Sequence, residues 1–312
     1  MGSRDEPGPG GRAASDLPLA GSEAALLAEI ETLQLNARRV AHGALAGIHR
    51  SLRRGSSIEF SEHKVYTPGD DIRHIDWRAF AKTDRYHVKQ FEDETNITVE
   101  LIVDHSGSME FASGDGASKL DVARLIAAAL GYLALRQGDA AGLLTFAEQV
   151  TDELPARATS AHLVELLGRL TRLTPAGHTG VTRCIDHFAQ RTRRRAVAIV
   201  ISDLFDPDPD LINAFRRLSA RRHDVAVLHL LDPAEVEFPY ENPSLFVSME
   251  DDRRLFVHPR TLRTAYVEEM QTFLADIGRR MAEAGIDYHR IDTHEPAAQI
   301  LGRFMRGRER RA

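Results

Sequence analysis

The chain has 312 residues, 43% of them hydrophobic, and sets 40 Lys and Arg against 46 Asp and Glu for a formal net charge of −6. That apolar content is enough for a sizeable buried core, while the slightly acidic total argues against a surface built for nucleic acid. A single cysteine, Cys184, excludes an internal disulfide and a multi-thiolate metal site, which fits a reducing compartment with the cytoplasm as the default.

Residues 1–22 are rich in Gly, Pro and charge, lack the apolar core of a signal peptide, and read as a disordered leader. From Glu23 to about His49, Leu26, Ile30, Leu33, Val40 and Leu45 recur at helical spacing, which predicts one amphipathic helix. The rest of residues 23–95 reads as an irregular segment packing on the main domain. Near its end Tyr86, Val88 and Phe91 alternate as an edge strand would.

Past Asn96 the pattern becomes regular, and residues 96–306 read as the main domain, with a basic tail at 307–312. "ITVELIVD" predicts a buried strand, followed by a helix with Ser118 and Asp121 placed as a capping box and Gly138 at its end. "DAAGLLTF" predicts the next strand. Helices are expected at 160–173 and 181–191, a strand at 196–203, and a helix opening on Asp208-Pro209 as cap and first turn. "DVAVLHLLD" follows as a buried strand, and 245–247 with 255–257 as a short edge pair. A long helix from about Arg260 to Ala284 carries the stripe Leu262, Tyr266, Met270, Phe273, Ile277 and Met281, and Gly285 closes it. "IDYHRID" and "PAAQILGRFMRG" give the last strand and helix. The longest uncharged apolar run, Leu125 to Leu135, is far short of the roughly 20 residues that cross a bilayer.

Strands apolar throughout, alternating with helices, imply an α/β fold with a doubly wound, mostly parallel, Rossmann-like sheet. Such sheets bind ligands beyond the carboxyl ends of their strands. Asp104 and Asp203 are each the first polar residue after an apolar strand, and so share that rim. Asp104, Ser106 and Ser108 form Asp-x-Ser-x-Ser, in which alternate residues of a tight loop turn oxygens toward one point. Thr179, in "PAGHTGVT", can add a fourth oxygen. An oxygen set of hydroxyls and two carboxylates suits magnesium or manganese. His105 and His178 flank it, but a hydroxyl-rich set does not suit zinc.

"LIVDHSGSM", "GHTG" and "VISD" together resemble the metal-ion-dependent adhesion site of von Willebrand factor A domains, and all five positions match. Upstream, "VYTPGDDIRHIDWRAFAKT" resembles the signature of DUF58, a bacterial family of unknown function typically encoded with MoxR-type AAA+ ATPases. Lys82 departs from it where an Ala-Arg pair is usual. The resemblance implies that Ser106, Ser108 and Thr179 ligate directly, that Asp104 and Asp203 hold water or the ion, and that a partner's carboxylate takes the open place. The function it implies is a metal-dependent protein-protein interaction module without catalysis, an adaptor or co-chaperone of a MoxR-type AAA+ ATPase or its client. The alternative is a magnesium-dependent phosphohydrolase on the same rim, although the sequence contains no Walker or Gly-rich phosphate cradle.

Plainer roles remain for other groups. Asp70, Asp71, Arg73, Asp76 and Trp77 form either a partner surface or internal glue, an indole beside an Arg-carboxylate pair. Cys184 falls within a predicted helix as a small buried residue. The arginines at 191–195 and in the tail read as a solvated helix end and a frayed terminus.

Overall fold

The computed structural model describes residues 19–52, 64–65, 87–88 and 97–309, apart from 115 and 193. The signature residues Asp70, Asp71, Arg73, Asp76 and Trp77 lie outside the described residues, as do 1–18 of the expected leader. The elements in chain order are α1 (Leu19–Leu52), β1 (Lys64–Val65), β2 (His87–Val88), β3 (Thr98–Asp104), α2 (Lys119–Arg136), β4 (Ala140–Phe146), β5 (Val150–Arg157), α3 (Ser160–Thr171) and α4 (Val181–Arg191). There follow β6 (Val197–Ser202), α5 (Leu211–Ala220), β7 (Asp224–Leu231), α6 (Pro233–Glu237), β8 (Ser244–Val247), β9 (Arg254–Val257), α7 (Pro259–Glu283), β10 (Asp287–Asp292) and α8 (Ala297–Glu309).

Six strands form one sheet in the order β10-β7-β6-β3-β4-β5. All pairs are parallel except β4 with β5. Side chains alternate across a strand, and here both faces are apolar. Leu101, Val103, Ile199, Ile201, Ala226 and Leu228 face a layer made by α1, α2, α3 and α8. Ile102, Leu144, Val200 and Val227 face α4, α5 and α7 on the other side. The chain runs from β3 outward to β4 and β5, then returns to β6 on the other flank of β3. The carboxyl ends of β3 and β6 are therefore neighbours where the winding changes direction. No described helix is long and apolar enough to cross a membrane.

Several boundaries differ from the sequence reading. Helix α1 begins at Leu19, inside the expected leader, and α8 runs to Glu309, into the expected tail. The buried seam of α1 is Ile30, Ala37, Ala41 and Ala44, while Leu33, Val40 and Leu45 flank it. Small side chains let α8 approach closely, and a Cβ on Gly43 would stand 3.1 Å from that of Ala298. Strand β5 is an addition; of its residues only Leu154 is fully buried, and Pro155 is tolerated because the strand is an edge. Helix α5 does not open on Asp208-Pro209. Asp208 turns its carboxylate back to the Asp210 N–H at 2.8 Å, forming a turn, and the helix starts after Asp210. Strands β8 and β9 form a separate antiparallel hairpin rather than an edge of the main sheet. The capping box of Ser118 and Asp121 is present as expected.

Glu100 of β3 places its carboxyl against Gly142 of β4, where a Cβ would meet Oε2 at 2.1 Å. Burial, with help from Glu153, pushes it up to about 7. The folded carboxyl titrates above the unfolded one, so the stability present at low pH is lost as pH rises toward 7. Glu100→Gln should therefore unfold at higher urea than the parent at pH 8 and at the same urea at pH 4. Equal midpoints at pH 8 would contradict the burial of this group.

Candidate metal centre

The register of the central strands sets the site. Val103 of β3 lies opposite Ile201 of β6, which brings the next residues, Asp104 and Ser202, level. The Ser202 hydroxyl donates to Asp104 Oδ2 at 2.6 Å, and the Ser106 N–H donates to Oδ1 at 2.8 Å. After His105 the chain enters a 3-10 turn, Gly107–Glu110, which turns the Ser106 and Ser108 hydroxyls to the same side, 3.2 Å apart. The loop carrying Thr179 is stitched to this one by the main chain: Ala176 N–H donates to His105 O and Gly107 N–H to Gly177 O, both at 2.9 Å. Gly180 permits the close approach of the loop after β4, since a Cβ there would meet Glu148 O at 2.3 Å. Thr179 Oγ1 then comes within 2.8 Å of Ser106 Oγ. Asp203 accepts from the Phe205 N–H at 3.3 Å and from the Ser108 side chain. Leu204 between them holds a φ of 54°, a left-handed backbone rare for leucine, which turns the chain away sharply after the carboxylate. All five residues singled out in the sequence meet at the carboxyl ends of β3 and β6.

The electrostatics are uneven. Asp104 and Asp203 are both fully buried. Burial, then the charge of Asp203, pushes Asp104 up to about 7. Burial also works against the Asp203 carboxylate, but the Lys119 ammonium at 2.7 Å outweighs it and holds the group below the usual range. Lys119 is itself fully buried. It binds Glu235 of α6 as well, at 2.6 Å, and the two acids hold its ammonium above the usual range despite burial. One lysine thus serves Asp203 and Glu235, and Asp104 is left with hydrogen bonds but no ion pair among the described residues.

Sequence reasoning missed Lys119, Ser202, Glu235 and Glu250. Ser202 adjoins Asp203, and Glu235 belongs to a readable capping box, with Asp232 as cap and Pro233 in the first turn. Lys119 directly follows the N-cap Ser118, a place where a lysine carries no sign of burial. Glu250, in the turn of the β8–β9 hairpin, accepts from Thr179 Oγ1 at 2.7 Å and lies far away in sequence. Asp206 does not cap the helix that follows it; it accepts from the Thr182 N–H of α4 at 2.9 Å.

The flanking groups are engaged elsewhere. His105 sets its two nitrogens 2.8 Å from Thr174 O and Thr151 Oγ1. Cys184 is buried, and burial pushes its thiol well up. Arg191 meets Glu153 at 3.2 Å, Arg303 forks onto Glu295, and Arg308 pairs with Asp224.

Among the described residues no group of three or more His, Cys, Asp and Glu is arranged to hold an ion. Hydroxyls dominate the candidate donor set, and their spacing tests it. In an octahedral magnesium shell with bonds near 2.1 Å, adjacent oxygens stand about 2.9 Å apart. The Thr179–Ser106 and Ser106–Ser108 separations of 2.8 and 3.2 Å bracket that value. Those spacings are compatible with a small hard cation, and among the described residues the buried Asp104 carboxyl has no ion pair.

Removing one partner of a buried ion pair leaves the others uncompensated. Lys119→Met should lower stability by about 3–5 kcal/mol in urea unfolding without added metal. A loss under about 1 kcal/mol would show that Asp203 and Glu235 find solvent or another cation.

The uncharacterized proteins Mb1516 of Mycobacterium bovis and Rv1480 of Mycobacterium tuberculosis are each 31% identical over 294 residues, covering 92% of this chain and 91% of theirs. Among solved structures, the conserved hypothetical protein BatB from Bacteroides thetaiotaomicron is 17% identical, covering 69% of this chain and 99% of its own, with a TM-score of 0.45. An aerotolerance-related membrane protein from Bacteroides fragilis is 18% identical over 68% and 99%, with a TM-score of 0.44. Likeness at that level says nothing of function. The family model described as protein of unknown function DUF58 matches residues 62–273, taking in both the upstream signature and most of the central sheet, and the chain belongs to the DUF58 family.

Proposed function

We propose that the chain is a protein-binding module that depends on a divalent cation, magnesium or manganese. The observation behind this reading is the cluster of three hydroxyl oxygens, spaced as adjacent ligands of a small cation would be, beside a buried carboxyl with no ion pair among the described residues. Ser106, Ser108 and Thr179 would hold the ion through their hydroxyls, with Asp104 and Asp203 behind them. That would be the arrangement of a metal-ion-dependent adhesion site in a von Willebrand factor A-like domain, and it would supply an under-neutralised positive point open to a carboxylate oxygen from outside.

The chain's own residues do the positioning. Ser202 and the Ser106 N–H orient Asp104. Lys119 holds Asp203 ionised and fixed between α2 and α6. Neutral hydroxyls as ligands leave the charge of the ion largely uncancelled, which favours capture of an acidic side chain over simple structural binding. The partner that the family resemblance suggests is a MoxR-type AAA+ ATPase or its client, with this chain as adaptor or co-chaperone. A magnesium-dependent phosphohydrolase on the same rim has less behind it: Lys119, the cation paired with Asp203, is sealed from solvent between two carboxylates.

A ligand at 100 times its Kd stabilises the folded chain by about 2.7 kcal/mol. Millimolar magnesium or manganese should therefore raise the melting temperature of the parent by several degrees and leave Asp104→Ala unmoved. No shift in the parent would count against the cation. Pull-down of a MoxR-type ATPase should be lost both with chelator and in Asp104→Ala, and capture indifferent to both would contradict the partner mode.

A further inference from the structure

We infer that Glu250 is a further oxygen donor of this site, delivered by the β8–β9 hairpin, and that the hairpin so closes the place an outside carboxylate would take. The inference rests on the cation-dependent reading above and deepens it.

Glu250 Oε1, Thr179 Oγ1, Ser106 Oγ and Ser108 Oγ form a run of oxygens separated by 2.7, 2.8 and 3.2 Å. The first spacing, like the others, is close to the edge of about 2.9 Å between adjacent ligands of a small octahedral cation. A carboxylate is what the open place would attract, and here the chain brings one of its own. Its other oxygen, Oε2, lies 3.5 Å from His178 Nδ1, on the same loop as Thr179.

The hairpin is built to reach this point. The Met249 carbonyl presses on residue 107, between the two serines, where a Cβ would stand 2.1 Å from it, so only glycine lets the tip seat. The turn is held by Ser248, whose hydroxyl accepts from the Glu250 and Asp251 N–H groups at 3.3 Å and whose own N–H donates to Arg253 O at 2.9 Å.

The body of the hairpin is lightly held by comparison. It pairs with no strand of the main sheet, and Leu245, Val247, Leu255 and Phe256 are each more than half exposed. Phe246 stacked on Phe238 at 5.6 Å, and the buried Val257, anchor its base. The tip can therefore lift without breaking the sheet. Beside it an open cleft of about 780 Å³, lined by Glu148, Thr179, Arg183, Asp206, Glu250 and Arg253, leaves room for an incoming segment. A partner's carboxylate would compete with Glu250 for one place.

Manganese titration of the full chain by calorimetry, with amide hydrogen exchange of residues 245–256, tests this. The variants are Glu250→Gln, Glu250→Asp and Asp104→Ala. Losing a metal-bound or metal-supporting carboxylate typically weakens affinity by 10–100-fold, so Glu250→Gln should bind manganese roughly tenfold or more weakly. Glu250→Asp keeps the charge on a shorter arm, and should behave like the Gln variant if the oxygen ligates and like the parent if charge alone matters. Manganese should slow exchange in the hairpin of the parent and not of Glu250→Gln. Parent affinity and unchanged exchange in Glu250→Gln, with binding still lost in Asp104→Ala, would overturn the role of Glu250 and leave the cation site standing. No manganese uptake by the parent would overturn both.

Discussion

Two carboxylates buried at the ends of neighbouring strands, only the second of which shares a lysine with a third acid, constrain the rim of this molecule. A buried charge is expensive unless paired, and the parallel register of β3 and β6 brings Asp104 level with Ser202, one residue before Asp203. Asp203 is satisfied by Lys119, which α2 delivers from its first turn. Asp104 has hydrogen bonds but no ion pair among the described residues, and burial, then the charge of Asp203, pushes its carboxyl up to about 7. The surrounding devices follow from that inequality: the Ser202 hydroxyl and the Ser106 N–H on Asp104, the left-handed Leu204 after Asp203, and the hydroxyl cluster above them.

The fold separates the work of holding from the work of meeting. Strands sealed by apolar layers on both faces fix the carboxylates, whereas the hydroxyls ride on loops stitched together by main-chain hydrogen bonds. Those loops are short, and glycines at 107 and 180 let other segments approach within contact of their backbones. Function grafted on loops at the carboxyl ends of a parallel sheet is the general rule for this architecture. Here the described loops present hydroxyl and carboxylate oxygens, which is the ground on which the binding proposal stands.

Much of this was legible in the sequence. The apolar strands ending in Asp104 and Asp203 announced the sheet and its rim. Ser118 with Asp121 announced the start of α2, and "GHTG" pointed to Thr179. Less legible was whatever depends on contacts distant along the chain. Lys119 carries no signal of burial, because a lysine after an N-cap is ordinary until Asp203 and Glu235 arrive 84 and 116 residues later. Glu250 is one acid among several in "MEDDRR". Strand β5 hides because an edge strand with charge and proline lacks the apolar run of its neighbours, and the seam of α1 hides because alanine contributes little to an apolar stripe while allowing the closest helix packing. Asp208-Pro209 misled because the side chain of Asp208 is engaged in its own turn.

Diffraction from crystals soaked in manganese, recorded where manganese scatters anomalously, reads the centre directly. A peak bonded by the hydroxyl oxygens of Ser106, Ser108 and Thr179, with Asp104 and Asp203 within one water of it, is the predicted result. Crystals that diffract well with these hydroxyls still joined only to one another, and no anomalous peak among them, would contradict it.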